Sequence, residues 1–348
     1  MDIEKRNVWQ VGTGSHERSY GDIFLKYDVM AVGPGDRGLY NEKVYSHYGD
    51  IKNSIRRFYQ NAKKGDLVVL RLGTGQVLAL GEIADDGPVI NEEFGDIDDY
   101  HLQHVRRVRW FPCTAKGFPV RTLGGQVRTF AGVNTSSVLR WIERVRVSPK
   151  ALHRKLRHLP KPSVSLSSQE LKRELIAAGL TVELTNKVVA RLNSLRMIAQ
   201  WYQDEEKRLG KRPSEHETIA YMVIPFLQSL GWARENAAIE WNGIDIALFD
   251  RLPSKDAFLR YIVEAKVFRS SVFKPFEQAA DYARVKGREH CKRLIVTDGI
   301  RYTYFKKQSG GFSPQVRPQA YLNILHMRKH YPLYGCGGAV EAIIGMVK

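Results

Sequence analysis

The sequence predicts an α/β protein in two parts: a mainly-β first part and a second part that combines helices with a sheet. Three observations predict this fold class. Short strand-like runs separated by turn residues occupy the first 147 positions. A stretch rich in basic residues, proline and serine follows. Helical and strand-like apolar patterns then alternate through residues 201–348.

Length and composition fit a two-domain protein that binds a polyanion. The chain has 348 residues, of which 43% are hydrophobic, enough for two ordinary cores. Its formal net charge is +17, and clustered Lys and Arg bind nucleic acids by neutralising phosphates. An anionic membrane surface is the competing explanation. Because the chain has no long uncharged apolar run and opens with neither a secretory nor a transit pattern, we expect a cytoplasmic protein without a membrane partner.

The cysteines exclude two classes of small domain. Cys113, Cys291 and Cys336 are far apart and form no Cys-x-x-Cys motif. Neither a disulfide scaffold nor a structural zinc site is therefore predicted.

The first part, residues 1–147, is predicted to form a small curled sheet or barrel. One helix is expected at about 48–63, ending at Lys64-Gly65-Asp66. Five strand-like runs surround that helix: residues 7–11, 24–33, 66–72, 76–83 and 104–111. Short strands at such spacing are typical of barrels.

Residues 148–200 are predicted to connect the two parts. Between Arg140 and Arg173 there are ten basic residues and only two acids, and prolines interrupt any long helix. The segment either follows a phosphate backbone or is a solvated, self-repelling linker. Two helical patterns separated around Gly179 complete the connector, and we expect them to pack together.

The second part opens with a helical pattern and ends with a strand pair. The apolar positions of the helix are Ile219, Met222, Val223, Phe226, Leu227 and Leu230. Pro225 lies inside this pattern and should bend or break the helix, because it has no amide hydrogen to donate. Further on, Asp298-Gly299 separates two strand-like runs and predicts a hairpin.

Three ionisable residues lie on two consecutive strand-like segments between those elements. Residues two apart share a face of an extended segment, so Glu264 and Lys266 point the same way. Asp245 should lie opposite the apolar face of its own segment. That face contains Ile244, Ile246 and Leu248. If the two strands pair, the Asp245 carboxylate can reach Glu264.

This trio, Asp245, Glu264 and Lys266, suits metal-assisted phosphodiester hydrolysis. Two carboxylates on rigid strands fit Mg²⁺, which binds few carboxylates and keeps several waters. An ammonium beside the ion can lower the pKa of an attacking water or stabilise charge on a phosphate. Alternatively, the carboxylates are ordinary surface groups and the lysine forms an ion pair of little energetic worth.

In these residues the second part resembles the PD-(D/E)xK nuclease superfamily, and particularly the cores of type I and type IV restriction enzymes. The resemblance covers about residues 200–348 and implies a restriction endonuclease-like mixed sheet flanked by helices. It implies that Asp245 and Glu264, with the carbonyl of Ala265, hold Mg²⁺, for which Mn²⁺ is a substitute. It also implies that Lys266 assists the attacking water.

The same resemblance assigns roles to two helix residues. Glu217 matches the helix-borne acid of the family, and Gln278 matches the glutamine of the helix after the motif. Glu217 equally completes a Ser-x-x-Glu capping box with Ser214, so the capping and active-site roles both stay open. Gln278 and Tyr282 are one helical turn apart, and without the resemblance they form a simple surface pair. As a departure from the family, Ile244 replaces the nominal proline of the motif.

The first part resembles, less specifically, the PUA/EVE-like group of domains, where a helix followed by Lys-Gly-Asp leads into a strand pair. The resemblance covers roughly residues 5–115. Members of this group bind RNA or hold a flipped-out modified base, also in modification-dependent restriction enzymes. A mainly-β PUA/EVE-like barrel that recognises nucleic acid is therefore implied.

The first part also contains residues suited to hold a flipped base, which requires aromatic faces and hydrogen bonds to its polar edge. The candidates are Trp9, Tyr20, Asp22, Asp36 and Trp110. The two tryptophans would meet if their strands were neighbours, although a tryptophan in a strand usually belongs to a core. Three arginines either bind the flanking phosphates or face solvent from an edge strand: Arg106, Arg107 and Arg109.

Together these expectations describe a Mg²⁺-dependent DNA endonuclease of the type IV-like restriction class, directed against modified foreign DNA. Residues 1–147 would recognise the base and residues 201–348 would cleave. Cleavage of both strands usually needs two active centres, so a homodimer is expected. Two alternatives stay open: an RNA or structure-specific repair nuclease, and a non-catalytic nucleic-acid-binding protein.

Overall fold

A computed structural model of the chain describes residues 6–15, 18–35, 37–73, 76–111, 129–145, 147–309, 311–312 and 317–348. The chain divides into two compact units, Met1–Lys161 and Pro162–Lys348. Both units are mixed α/β, and each has its own sheet, as the sequence predicts in general terms. In the ranges described, no helix is long and apolar enough to cross a membrane.

Within its described residues, the first unit has a curled sheet of seven strands with short helices. The strands are β1 (Val8–Gly12), β2 (Val29–Val32), β3 (Leu67–Leu72), β4 (Gln76–Ile83), β5 (Val89–Ile90), β6 (His104–Phe111) and β7 (Phe130–Gly132). The helices are α1 (Gly21–Tyr27), α2 (Gly49–Arg56), α3 (Ser136–Arg144) and α4 (Pro149–Leu152). A π-helical turn, Arg57–Asn61, extends α2 to nearly the predicted end of that helix.

The strands of the first unit follow the order β2-β6-β4-β3-β1-β7, and β5 also pairs with β6. Neighbours are antiparallel except β1 and β3, which are parallel. Alternate residues of the strands pack against Val138 and Ile142 of α3 and form one core. The predicted strand 24–33 is wrong in its first half, because those residues complete α1. Asp28, at φ 53°, ends that helix before β2 begins.

The basic segment after α4 belongs to the first unit, not to a separate connector. The carboxylate of Asp28, fully buried, accepts two hydrogen bonds of 2.7 Å from the Arg154 guanidinium. It also accepts a 2.8 Å bond from the main-chain amide of Arg157. These two basic residues therefore anchor the chain to its own unit, so the predicted role of following a phosphate backbone does not apply to them.

Within its described residues, the second unit has a sheet of eight strands. They are β8 (Ala237–Trp241), β9 (Ile244–Phe249), β10 (Leu259–Ala265), β11 (Arg293–Thr297), β12 (Arg301–Lys306), β13 (Ala320–Asn323), β14 (His330–Tyr331) and β15 (Cys336–Gly337). The helices are α5 (Ser168–Ala177), α6 (Val182–Leu209), α7 (Glu215–Thr218), α8 (Ile224–Ser229), α9 (Phe276–Ala283) and α10 (Ala339–Met346). The strand order is β14-β15-β13-β12-β11-β10-β9-β8, and β10 and β11 are parallel.

Helices cover both faces of this mixed sheet. One face packs against α5, α6, α8 and α10 in a single apolar cluster, and the other packs against α9. The predicted helix pair on either side of Gly179 is present as α5 and α6. It belongs to the core of the second unit and does not form a separate connecting bundle.

Pro225 disturbs its helix as predicted. A π-helical turn, Ile219–Val223, separates α7 from α8, and the proline lies in the first turn of α8. A proline cannot donate the amide hydrogen bond of a regular α-helix, so the preceding turn widens. The three segments still form one continuous helical rod against the sheet.

The hairpin predicted at Asp298-Gly299 joins β11 to β12. The Asp298 carboxylate accepts hydrogen bonds from the amides of Ile300 and Arg301 at 3.1 and 2.7 Å. Gly299 adopts φ 84°, a conformation that favours glycine. This turn lies beside α7, because a Cβ added at Gly299 would be 2.8 Å from the Thr218 side chain.

Candidate active site

Asp245 and Glu264 meet where β9 and β10 run side by side. The two strands are antiparallel, with Ile246 opposite Val263, so Asp245 follows opposite Glu264 one position further on. The amide of Ala265 donates a 2.8 Å hydrogen bond to Oδ2 of Asp245. The two carboxylates that the sequence pairs are therefore on neighbouring strands.

The apolar neighbours of Asp245 show which face of β9 it occupies. Ile246 and Leu248 pack against the helices on the α10 side, as predicted for the face away from Asp245. Ile244 was expected beside them, but it packs in the α9 cluster. It follows a turn at Gly243, φ 86°, which rotates the first residue of the strand.

Lys266 links Glu264 to α7. Its Nζ donates a 2.6 Å hydrogen bond to Oε1 of Glu264 and lies 4.0 Å from Oε2 of Glu215. Its main-chain amide donates to the Thr297 carbonyl at 2.8 Å, which fixes the residue at the end of β10 beside β11. The ammonium thus lies between carboxylates from two different elements.

Glu264 is the most unusual residue of the site. Its side chain is fully buried, and Oε2 has no hydrogen-bond partner among the described residues. Burial, together with the charge of Asp245, raises the pKa of Glu264 to about 7, although the hydrogen bond from Lys266 favours the charged form. A buried carboxylate oxygen without a partner costs stability and requires an explanation.

The other two members of the trio are also perturbed by their surroundings. Burial raises the pKa of Asp245, although the Ala265 amide favours its charged form. For Lys266, burial alone would lower the pKa, but Glu264, Glu215 and Asp245 together hold it above its usual range. Lys266 is therefore an ammonium at neutral pH. Strongly perturbed neighbouring groups of this kind are common at functional sites.

The oxygen atoms at this site fit a hard divalent cation. The partnerless oxygen of Glu264 and the half-buried carboxylate of Asp245 are ligands of the kind that Mg²⁺ prefers. Among the described residues, no group of three or more His, Cys, Asp or Glu side chains could hold a metal. Two carboxylates suffice for Mg²⁺, which completes its shell with water and phosphate oxygens. A cation here would offset both the burial and the repulsion of the two carboxylates.

Glu217 completes a capping box at the start of α7, one of the two roles left open by the sequence. The Ser214 amide donates to Oε2 of Glu217 at 2.7 Å, and the Glu217 amide donates to the Ser214 hydroxyl at 3.2 Å. The α7 acid near Lys266 is Glu215, a residue that was not among those predicted from the sequence. The sequence could have indicated Glu215, because residues two apart in a helix are rotated by about 200° around its axis and so lie on nearly opposite faces. Since Glu217 faces the cap residue Ser214, Glu215 must lie on a different face of the helix.

Gln278 forms the surface pair that its spacing predicts. Its Nε2 donates a 3.3 Å hydrogen bond to the hydroxyl of Tyr282. The Tyr282 ring lies against Gly243, because a Cβ added at Gly243 would be 3.5 Å from a carbon of that ring. In the residues the structure describes, no hydrogen bond joins Gln278 to the trio, so its supporting role stays a prediction.

The two tryptophans proposed to hold a base are core residues. Trp9 donates a 2.8 Å hydrogen bond from Nε1 to Asp66 and stacks on Phe130 at 5.2 Å. Trp110 donates from Nε1 to the Val29 carbonyl at 3.0 Å. Both are buried, and their strands β1 and β6 are separated by β3 and β4. The condition on which the two tryptophans would meet is therefore not fulfilled, since their strands are not neighbours.

Of the other three candidates for the base pocket, the structure describes Tyr20 and Asp22. Tyr20 is buried, packs against Phe24 and Tyr100, and has a pKa raised well above its usual range by burial. Asp22 is exposed in the first turn of α1, where a carboxylate stabilises the helix N-terminus. Asp36 lies outside the described residues.

Arg106 is buried within the first unit, which contradicts the prediction that it faces phosphates or solvent. Its side chain is completely inaccessible to solvent. Nε donates to Asp85 at 2.8 Å, and one terminal nitrogen donates to the Ala62 carbonyl at 2.5 Å. A guanidinium can be buried only when its donors are paired in this way.

Arg107 and Arg109 hold the segment after α4. A terminal nitrogen of Arg107 donates to the Arg157 carbonyl, and Nε of Arg109 donates to the Arg154 carbonyl at 3.1 Å. Arg109 also forms a 3.2 Å ion pair with Glu82. The alternative that they face solvent from an edge strand is wrong, since β6 is an interior strand of the sheet, and phosphate binding by these half-buried arginines stays a prediction.

An aromatic cluster around His104 was not anticipated. His104 is fully buried, and its Nε2 donates to the Pro34 carbonyl at 3.0 Å. Its Nδ1 then accepts from the Tyr59 hydroxyl at 2.8 Å. Tyr40 packs at 5.7 Å against both Tyr45 and Tyr59, and its hydroxyl is buried. The density of tyrosines between residues 40 and 59 could have indicated this cluster from the sequence.

Comparison with known proteins adds no further constraint. No family model, curated protein or solved structure matches the chain.

Proposed function

We propose that the second unit is a Mg²⁺-dependent nuclease of the PD-(D/E)xK type that hydrolyses phosphodiester bonds in DNA. The observation that carries the proposal is the buried, partnerless oxygen of Glu264 beside Asp245 and Lys266. Leaving such an oxygen unpaired costs roughly 1–3 kcal/mol. A bound cation explains why the chain keeps it. The restriction endonuclease-like identity of the mixed sheet is part of the same proposal.

Each residue of the site has a role in this reaction. Asp245 and Glu264 hold the Mg²⁺, together with the carbonyl of Ala265. When bound, the ion lowers the pKa of a coordinated water and withdraws charge from the phosphate. Lys266, an ammonium at neutral pH, donates hydrogen bonds to phosphate oxygens as negative charge develops. Glu215 keeps that ammonium in place from the α7 side.

In this proposal the first unit is a PUA/EVE-like barrel that recognises the nucleic acid. The net charge of +17 supports a polyanionic partner. Recognition of a modified base, as in a type IV-like restriction enzyme, then needs a pocket other than Trp9, Tyr20 and Trp110, because the core buries those rings.

Alanine substitutions at the trio test the hydrolytic role. We expect Asp245→Ala and Lys266→Ala to abolish Mg²⁺-dependent cleavage, since the first removes a ligand and the second the charge that stabilises the phosphate. Binding of DNA in EDTA should stay within about twofold of the wild type, because most of the affinity comes from other basic residues. Cleavage is measured on plasmid DNA, and binding by fluorescence anisotropy.

Matched controls come from exposed residues of the same unit. Asp281→Ala, on the outer face of α9, and Lys286→Ala remove the same charges outside the site and should cleave normally. Full activity in Asp245→Ala or Lys266→Ala contradicts the assignment. A parallel digest of RNA and of DNAs with different base modifications distinguishes the substrate classes. Binding without cleavage of every substrate would indicate a non-catalytic binding protein.

A further inference from the structure

A basic cavity lies at the opposite end of β10 from Glu264. Its volume is about 510 Å³, which is in the usual range for sites that bind small molecules. It is lined by Trp232, Asp250, Arg260, Tyr261, Arg293, Ile344, Val347 and Lys348. Roughly 13 Å of strand separates Arg260 from Glu264. Tyr261 belongs to the α10 face of the sheet, so the cavity is distinct from the trio.

A β-bulge directs Arg260 toward this cavity. On β9, Phe249 and Leu248 are consecutive, but their partners on β10 are Leu259 and Tyr261. Arg260 is therefore the extra residue, and a bulge of this kind turns a side chain out of the regular alternation. The bulge lets Arg260 and Tyr261, consecutive residues, line the same cavity.

The two aromatic side chains that form the wall beside Arg260 already donate hydrogen bonds to main-chain carbonyls, which fix their positions. The Tyr261 hydroxyl donates to the Gly345 carbonyl at 2.6 Å, and Nε1 of Trp232 donates to the Met346 carbonyl at 2.8 Å. The Arg293 guanidinium lies over the Tyr261 ring, 5.2 Å from its centroid. Arg293 is opposite Tyr261 in the parallel pair of β10 and β11, which fixes its position.

The charges in the cavity are unbalanced. Three basic residues, Arg260, Arg293 and Lys348, line it together with one acidic side chain, that of Asp250, which also lies 3.8 Å from Arg251. In the part of the chain that the structure describes, neither Arg260 nor Arg293 forms a salt bridge, and Lys348 donates to the neutral side chain of Asn236. Two guanidinium groups that line one cavity and form no salt bridge are suited to bind phosphate through charge-assisted hydrogen bonds.

We propose that this cavity binds a compact phosphate monoester: a free 5′-nucleotide or the 5′-phosphate at the end of a nucleic-acid strand. The proposal goes beyond the nuclease reaction and does not depend on it, because it uses no residue of the trio. The chemistry that it requires is the doubly charged phosphate, which the two arginines recognise together.

Calorimetric titration of the full chain in EDTA tests the proposal, because EDTA keeps metal from the trio. Adenosine 5′-monophosphate should bind, and adenosine should not. Arg260→Gln should weaken binding of the nucleotide about tenfold, the loss expected for one charge-assisted hydrogen bond. Arg208→Gln is the matched control, an exposed arginine near the end of α6 and outside the cavity, and should bind normally. Circular dichroism confirms that the variants are folded.

A short oligonucleotide with and without a 5′-phosphate separates the two sources. Tighter binding of the phosphorylated form, lost in Arg260→Gln, identifies the strand end, whereas binding of the mononucleotide alone identifies the free nucleotide. Either result supports the cavity. Equal binding of phosphorylated and unphosphorylated ligands in both arms, or equal affinities of wild type and Arg260→Gln, overturns it. Asp245→Ala should bind the nucleotide like the wild type, so the outcome is independent of the nuclease assignment.

Discussion

The Glu264 carboxylate makes the metal-free protein sensitive to pH at the scale of one residue. In the unfolded chain this group ionises near its ordinary pKa of 4.5, but in the folded protein burial raises the pKa to about 7. Between these values the folded state binds the proton more tightly than the unfolded state. The contribution of the Glu264 proton to the free energy of unfolding is therefore largest below pH 4.5 and decreases as the pH rises toward 7.

We expect the wild type in EDTA to lose on the order of 3 kcal/mol or less of unfolding free energy from Glu264 between pH 5 and 8. Urea unfolding at a series of pH values measures this loss. Glu264→Gln, which cannot ionise, should show a flatter dependence over the same range. Parallel curves for the two proteins would mean that Glu264 ionises normally and is not strongly desolvated.

The two acids of the first turn of α7 should respond differently to removal. Glu215→Ala should lower cleavage strongly and stability little, because Glu215 lies near Lys266 and does not cap the helix. Glu217→Ala should lower the urea midpoint through the lost capping box. It should lower cleavage less than Glu215→Ala does. Single-turnover cleavage and urea midpoints give both quantities, and the reverse order of activities would assign the site to Glu217.

Sequence alone identified the trio but not the full set of side chains around it. Strand periodicity placed Glu264 and Lys266 on one face, because that rule is local. The choice between Glu215 and Glu217 depends on which of them caps the helix, and spacing fits both roles. Trp9 and Trp110 were misplaced for a related reason: whether an aromatic residue in a strand is core depends on which strands become neighbours.

At the scale of elements, the turn between β11 and β12 is fixed by both conformation and contact. Gly299 has a positive φ, and a Cβ there would lie 2.8 Å from Thr218 and 3.0 Å from Met222. Gly179, between α5 and α6, also has a positive φ, 101°, but no atom lies within 4 Å of its Cβ position. A side chain at Gly179 would therefore meet backbone strain alone, whereas a side chain at Gly299 would meet both backbone strain and steric overlap.

Gly179→Ala should cost about 1 kcal/mol, the penalty of a left-handed conformation. Gly299→Ala should cost an additional 1–3 kcal/mol or so, because the added carbon overlaps with the α7 rod. The comparison is made from urea midpoints at equal slope. Equal losses for the two substitutions would show that the turn and α7 do not pack as closely as described.

Elements set by short-range signals were predicted well, and their arrangement was not. The Asp298-Gly299 hairpin, the α5–α6 pair and the distortion at Pro225 all follow from residues within a few positions of each other. The order β2-β6-β4-β3-β1-β7 depends on pairings between distant segments, which no local pattern encodes. The split of residues 24–33 into α1 and β2 depended on Asp28, whose buried bond to Arg154 is also non-local.

At the scale of the whole molecule, the chain is two units and not two domains with a third connector between them. The division falls between Lys161 and Pro162. The predicted connector, residues 148–200, contributes Arg154 and Arg157 to the first unit, and α5 and most of α6 to the core of the second. Composition marked this stretch as different, but charge counts do not show that a basic residue is already paired with a buried carboxylate.

The central claim is that the partnerless oxygen of Glu264 belongs to a metal site. Anomalous scattering from Mn²⁺ in crystals of the wild type and of Asp245→Ala tests it most directly. We predict one peak in the wild type within about 2.5 Å of Glu264 Oε2 and an Asp245 oxygen, and its loss in the variant. No peak between these carboxylates at millimolar Mn²⁺, with Lys266 still bonded to Glu264, would contradict the account.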